Sequence, residues 1–215
     1  MRERPILFSA PMVRALLDGT KTQTRRVVSK NDAALLEFLA EDTDHLGQKN
    51  EDGGTRVWCG DYPEEGSDLL KSRYGLVGDQ LWVRETFAHG IHALSAKFEE
   101  DGPFVYAATD SVQHRLGEKW KPSIFMPRYA SRITLEITNV RVERLNDINE
   151  ADALAEGIHK LPALRGGYCQ IDGGTPIAGT PVIGYRNLWE QINGKGSWDL
   201  NPWVWCISFR RIDAC

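Results

Sequence analysis

The densest run of chemically capable side chains in the chain is Gly19-Thr20-Lys21-Thr22-Gln23-Thr24-Arg25-Arg26. An amine close to a hydroxyl forms a base and nucleophile pair when burial lowers the lysine pKa. Adjacent guanidinium groups hold a phosphate or stabilise an oxyanion. On a strand, alternate residues share a face, which puts Thr22, Thr24 and Arg26 on one side and Gln23 and Arg25 on the other. Lys21 sits where the chain enters that strand, so its side chain can swing toward the Thr24 face. The competing reading is an exposed basic strand, an ordinary surface feature.

Other candidates lie further along. Glu85 ends the apolar run Leu81-Trp82-Val83-Arg84-Glu85 and is the alternative acid or base. Its competing role is an ion pair at a strand end. Arg128, Tyr129 and Arg132 follow Pro127 and can bind phosphate and stack a base; otherwise they keep an edge strand soluble. His89 and His92 have H-x-x-H spacing, but no further ligands lie near them, so no metal and no cofactor is expected. Trp198, Trp203 and Trp205 flank Asn201-Pro202. Burial is the default for an indole, with Trp203 as a possible pocket wall. Cys59, Cys169, Cys206 and Cys215 show no C-x-x-C spacing, which fits reduced thiols in the cytoplasm.

The elements that position these residues follow from periodicity. Ile6–Ser9 reads as a strand, 11–18 as a helix closed by Gly19, and Lys21–Val28 as the strand leaving it. Asn31–Ala40 has helical leucine spacing. Residues 41–72 turn polar and Gly-rich and read as an insertion, as does 160–179. Gln80–Phe87 and Phe104–Thr109 read as strands. Arg132–Leu145 alternates in two registers, Ile133, Leu135 and Ile137 and then Val140 and Val142. The change at Thr138-Asn139 predicts a bulge. Asn149 caps a short helix ending before Gly157, Thr180-Pro181 starts another, and Trp203–Ile212 is a strand covered on both faces. Strands outnumber helices without regular alternation, which gives an α+β class.

At 215 residues and 41% hydrophobic content, the chain can bury one sizeable core, so residues 1–215 read as a single domain. A net charge of −4 argues against nonspecific coating of nucleic acid but leaves room for a local basic site. No stretch approaches the ~20 apolar residues that span a bilayer, and the first residues lack the apolar core of a signal peptide. A cytoplasmic protein with no membrane partner is expected.

Gly19-x-Lys21-x-x-x-x-Arg26 resembles the G-x-K-x-x-x-x-R signature of the ASCH domain family, whose barrel is related to PUA domains. Pro5-Ile6-Leu7-Phe8, the run Gly78 to Glu85, Met126-Pro127-Arg128-Tyr129-Ala130-Ser131-Arg132 and the run Trp198 to Trp205 resemble the long phage and prophage branch of that family. The resemblance spans nearly the whole chain, least at the two insertions. It implies a PUA-like β-barrel of roughly five to seven strands with covering helices. A smaller member is an amidohydrolase that deacetylates N4-acetylcytidine. Its G-x-K-T-x-T-x-R signature is similar to Gly19, Lys21, Thr22, Thr24 and Arg26. In that enzyme the lysine, the second threonine and a downstream helical glutamate form the proposed catalytic group. The stretch Leu145-x-x-Ile148-x-Glu150-x-x-Ala153-x-x-Glu156 is similar to that helix and sets Glu156 in the glutamate's place. The resemblance thus implies a hydrolase of a modified nucleoside or nucleic-acid base. Lys21, Thr24 and Glu156 would be catalytic, and Thr22, Arg25, Arg26, Arg128, Tyr129 and Arg132 would bind substrate. The alternatives are a binding module for RNA or modified DNA without catalysis, and a ribonuclease. The expected partner is a nucleoside or nucleic acid, RNA ahead of DNA.

Overall fold

A computed structural model describes residues 1–41, 46–51, 54–59, 68–89, 104–109, 119–161, 167–170 and 178–212. In chain order the first elements are β1 (Glu3–Leu7), α1 (Ala10–Leu17), β2 (Gln23–Val27), α2 (Lys30–Glu41), β3 (Leu46–Glu51), β4 (Gly54–Cys59) and β5 (Asp68–Leu70). There follow β6 (Gln80–Arg84), β7 (Phe87–His89), β8 (Phe104–Tyr106), β9 (Thr134–Arg144) and α3 (Glu150–Ala155). The last are β10 (Ile158–Lys160), β11 (Tyr168–Gln170), α4 (Pro181–Asn193) and β12 (Trp203–Ile212).

The fold is α+β around a mixed sheet of order β1-β6-β9-β12-β2. The β1–β6 pair is parallel, and the other three ladders are antiparallel. Strand β9 forms the middle because its alternation buries Leu135, Ile137, Val140 and Val142. Its bulge falls where the register changes. Ser208 pairs with Asn139 and Phe209 with Ile137, so β12 skips Thr138. Both faces of β12 are covered at its start, with Trp203 through Ile207 all buried. The core continues into Val13 and Leu16 of α1 and Leu188 and Trp189 of α4.

The ladders leave β1 and β2 as the edges of the sheet. Pro5 suits an edge, since it has no N–H to donate outward. The gap between the two edges is bridged by one side chain. Arg26 Nη2 donates to the Leu7 carbonyl at 2.8 Å, and its guanidinium lies 5.3 Å from the Phe8 ring centre.

Several boundaries differ from the sequence reading. Strand β1 starts at Glu3 rather than Ile6 and is over before Ser9, because Ser9 is already the N-cap of α1. Lys21 stands outside the β2 ladder in an isolated bridge to Glu156. The polar stretch 41–72 contains strands β3, β4 and β5, paired antiparallel. It is tied to the sheet through Gln48, whose side-chain amide donates to the Val142 carbonyl at 2.9 Å and accepts from the Val142 N–H at 2.7 Å. Apolar alternation there is weak because polar side chains share the anchoring with the isolated buried residues Val57 and Leu70. Within 160–179, β11 pairs with β10. His92 and Cys215 lie outside the described residues, and no helix among those described is long and apolar enough to cross a membrane.

Helix α3 is short but firmly bounded. The Asn149 side chain accepts from the Asp152 N–H at 2.8 Å, and Gly157 takes φ 96° beyond its end. Asn149→Ala is expected to cost about 1 kcal/mol of stability, read from the urea unfolding midpoint.

Candidate active site

The turn after α1 and the end of α3 converge on Lys21. Its N–H donates to the Ala15 carbonyl at 3.0 Å, and the Thr22 N–H donates to Ala155 at 2.8 Å. Gly157 faces this junction. A Cβ there would meet the Ala15 Cβ at 3.2 Å and the Lys21 Cβ at 3.5 Å, on a backbone with φ 96°. Glycine is therefore required by both space and conformation.

The Lys21 side chain is fully enclosed. Its Nζ donates to Glu156 Oε2 at 2.7 Å, to the Glu156 carbonyl at 2.8 Å and to the Gln23 carbonyl at 2.8 Å. These three acceptors use all three protons of an ammonium. Burial pushes the Lys21 pKa below its ordinary value; Glu156 opposes that shift, while Arg26 and Arg25 add to it. Burial and the two arginines thus weaken the lysine's hold on its proton, while the contact with the Glu156 carboxylate strengthens it.

Glu156 is balanced in turn by Arg25, whose Nη1 lies 3.4 Å from Oε1. The five N–H donors of Arg25 are all committed. Nε and one Nη2 proton go to Glu143, the other Nη2 proton to Asp152 at 3.0 Å, and Nη1 to Gln23 and Glu156. Arg141 completes the group, reaching Glu143 at 2.8 Å and Asp152 at 2.7 Å. Three cations (Lys21, Arg25, Arg141) face three carboxylates (Glu143, Asp152, Glu156), so the cluster carries no net charge.

A cleft of about 60 Å³ opens between β2 and α4 beside this cluster. Thr24, Arg26, Glu156, Tyr185 and Trp189 line it, and Lys21 does not. Lys21 reaches the cleft through Glu156. Tyr185 is buried at the wall, and burial raises its phenol pKa well above the ordinary value. It therefore stands neutral, as a hydroxyl that can donate or accept. Arg26 brings a buried Nε with no hydrogen-bond partner.

The remaining expected site residues are elsewhere or otherwise engaged. Thr22 is exposed, and its backbone ties α3 to β12. Arg25 has no donor left for a substrate. Glu85 is 1% exposed and is held by Arg132 through two parallel contacts of 2.9 and 3.0 Å. Arg132 also stacks on Tyr106 at 4.0 Å. With Glu156 facing Lys21, Glu85 is not the nearby carboxylate. Arg128 is engaged by Glu3 at 2.8 Å, and Tyr129 is exposed beside Phe104. Trp198, Trp203 and Trp205 are all buried. Sequence reasoning missed Asp152, Arg141, Glu143 and Tyr185. A signal for one of them was present: Asp152 sits four residues before Glu156, a spacing that puts side chains on one helical face.

No family model matches the chain, no curated protein matches it, and no solved structure matches it. Among the described residues, no group of three or more His, Cys, Asp or Glu side chains is arranged to hold a metal ion.

Burial would raise the Asp152 pKa, but Arg141 and Arg25 outweigh it and hold the carboxyl below its ordinary value. A folded pKa below the unfolded one gives stability that is present above about pH 4 and lost as pH falls through the folded value. Asp152→Asn is therefore expected to flatten the acid limb of stability against pH, measured as urea midpoints across that range. Lys21→Met strands Glu156 in the interior and should destabilise by about 3–5 kcal/mol, again from denaturant unfolding.

Proposed function

We propose that the chain is an ASCH-type hydrolase that acts on an acylated or otherwise modified nucleoside or nucleic-acid base, with the amide of N4-acetylcytidine as the type of bond cleaved. In this reading the bridged seam between β1 and β2 closes a PUA-like barrel wall, and the Thr24 cleft receives the modified base. The carrying observation is the 2.7 Å contact between buried Lys21 and Glu156, with Glu156 and Thr24 on one cleft wall.

The chemistry follows from these positions. The active form has Lys21 as a neutral amine. Thr24 attacks the acyl carbon, or holds the water that does. The proton released passes by way of Glu156 to Lys21, which produces the ammonium and carboxylate pair of the structure. The unpartnered Arg26 Nε stabilises the oxyanion. As the carbon–nitrogen bond breaks, the same proton returns through Glu156 to the leaving nitrogen. Where Thr24 is the nucleophile, water then cleaves the acyl–Thr24 ester, its hydroxyl going to the acyl carbon and its other proton to the Thr24 oxygen; by either route the products are a carboxylic acid and the free amine of the base. Tyr185 and Trp189 give the ring a polar and an apolar contact. A binding-only reading draws on a different fact, the complete saturation of Lys21 by internal acceptors.

A panel of acylated nucleosides, read by mass spectrometry, separates these readings. Thr24→Val is expected to lower kcat at least about a hundredfold, and Thr24→Ser to retain most of it. Combining Thr24→Val with Lys21→Ala should be no worse than either change alone, because members of one catalytic unit are not additive. Turnover should rise with pH as Lys21 loses its proton, with half-maximal rate below the ordinary lysine value of about 10.4. Full turnover by Thr24→Val would reject the mechanism.

A further inference from the structure

On the other side of Arg26 from the Thr24 cleft lies a second cavity, of about 290 Å³. Its walls are the free edge of β1 from Arg4 to Leu7, with Arg26, Arg73, Tyr74 and Arg84. Among the described residues, four arginines line it and no carboxylate does. None of the four forms an ion pair among the described residues, although elsewhere arginines pair freely with Glu3, Glu85, Glu136 and Glu143. Their hydrogen bonds go to backbone carbonyls. Arg4 reaches the Arg73 carbonyl at 3.1 Å, Arg26 reaches Leu7 at 2.8 Å, and Arg84 reaches Met126 at 3.0 Å. Such contacts fix a guanidinium without neutralising it. The Nε of Arg4 is buried with no partner among the described residues. A buried donor left unsatisfied is costly, and a phosphate oxygen would satisfy it.

Arg4 continues into a third cavity of about 400 Å³, which adds Arg2 and Lys71. Among the described residues the carboxylate on that wall is Asp79, which already accepts from the backbone N–H groups of Arg2 at 2.7 Å and Leu76 at 3.2 Å. Arg26 therefore joins the Thr24 cleft to a line of cations that follows β1. Five residues of strand span about 16 Å at ~3.3 Å each. Nucleotides of one stacked strand rise ~3.4 Å each along its axis, so a few consecutive phosphates can follow that length.

We propose that this track along β1 binds the phosphodiester backbone of a single-stranded polynucleotide, so that the Thr24 cleft receives a base within a strand rather than a free nucleoside. The proposal rests on the reading of that cleft as a base pocket. A track one strand wide, bounded by a single sheet edge and the loop at Arg73 and Tyr74, suits one backbone rather than a duplex. It also reconciles nucleic-acid affinity with a net charge of −4, because the cations are concentrated on one edge.

The test is fluorescence anisotropy of labelled oligonucleotides with the full chain, in RNA and DNA series from dinucleotide to octanucleotide. Affinity is expected to rise with length and then level off, and to fall between about 50 and 200 mM salt. Arg73→Gln and Lys71→Gln change exposed side chains and should leave the melting temperature unchanged. Each should weaken octanucleotide binding several-fold and reduce the salt slope by about 0.7 to 1. Arg210→Gln, on the far edge of β12 and paired with Glu136, is the control and should bind like the parent. Binding that ignores length, an unchanged salt slope in Arg73→Gln and Lys71→Gln, or equal affinity for blunt duplex would overturn the proposal. The two readings fail separately. Length-dependent binding without turnover of any acylated base rejects the hydrolase and keeps the track, and turnover of free nucleosides without length-dependent binding does the reverse.

Discussion

An ammonium enclosed away from water needs three acceptors, and the surroundings of Lys21 are organised around supplying them. Two are carbonyls, of Gln23 and Glu156, which fixes the start of β2 against the end of α3. The third is the Glu156 carboxylate, which brings a second buried charge that must itself be balanced. Arg25 does so, and Arg25 then needs Glu143 and Asp152, which need Arg141. One buried charge thus propagates through β2, α3 and β9 until the total is neutral. The register of three elements is set by electrostatic closure as much as by apolar packing.

The class of the fold and the centre of its sheet were legible in the sequence because they rest on period-two burial. Val140 and Val142, after Ile133, Leu135 and Ile137, mark β9, and the phase change between the two groups places the bulge at Thr138. The caps at Asn149 and Thr180 were also legible, since local side-chain bonds are encoded in adjacent residues. The polar cluster was not. Arg25 looks like a substrate arginine in sequence, on the face that alternation assigns to it. Its partners come from residues 143, 152 and 156, more than a hundred positions away. Strands β3 to β5 escaped for a related reason: only scattered apolar residues such as Val57 and Leu70 enter the core, and the Gln48 amide supplies part of the tie to β9.

The open edges of the sheet are where the free cationic groups gather. Edge strands carry unpaired backbone groups and invite unwanted pairing. Here Pro5 removes a donor from β1, and Arg26 spans the gap to Leu7 without forming a ladder. The same arginine faces the Thr24 cleft and the cavity beside β1. Capped and balanced charges lie on the β9 side of β2, and unbalanced ones lie along β1. That division of charge separates a rigid interior from a receptive margin.

The position of β12 has a consequence for biosynthesis. It follows every other described strand in sequence, yet it lies inside the sheet, and among the described residues its ladder alone ties β2 to the other strands. A nascent chain that has emerged as far as α4 already carries Lys21, Thr24 and Glu156, but β2, which holds Thr24, still lacks a neighbouring strand to pair with. Sheet assembly must therefore wait for residues distant in sequence, a topology of high contact order and slow closure. Until β12 inserts between β9 and β2, both strands expose unpaired edges, the feature that makes a partly folded chain prone to aggregate.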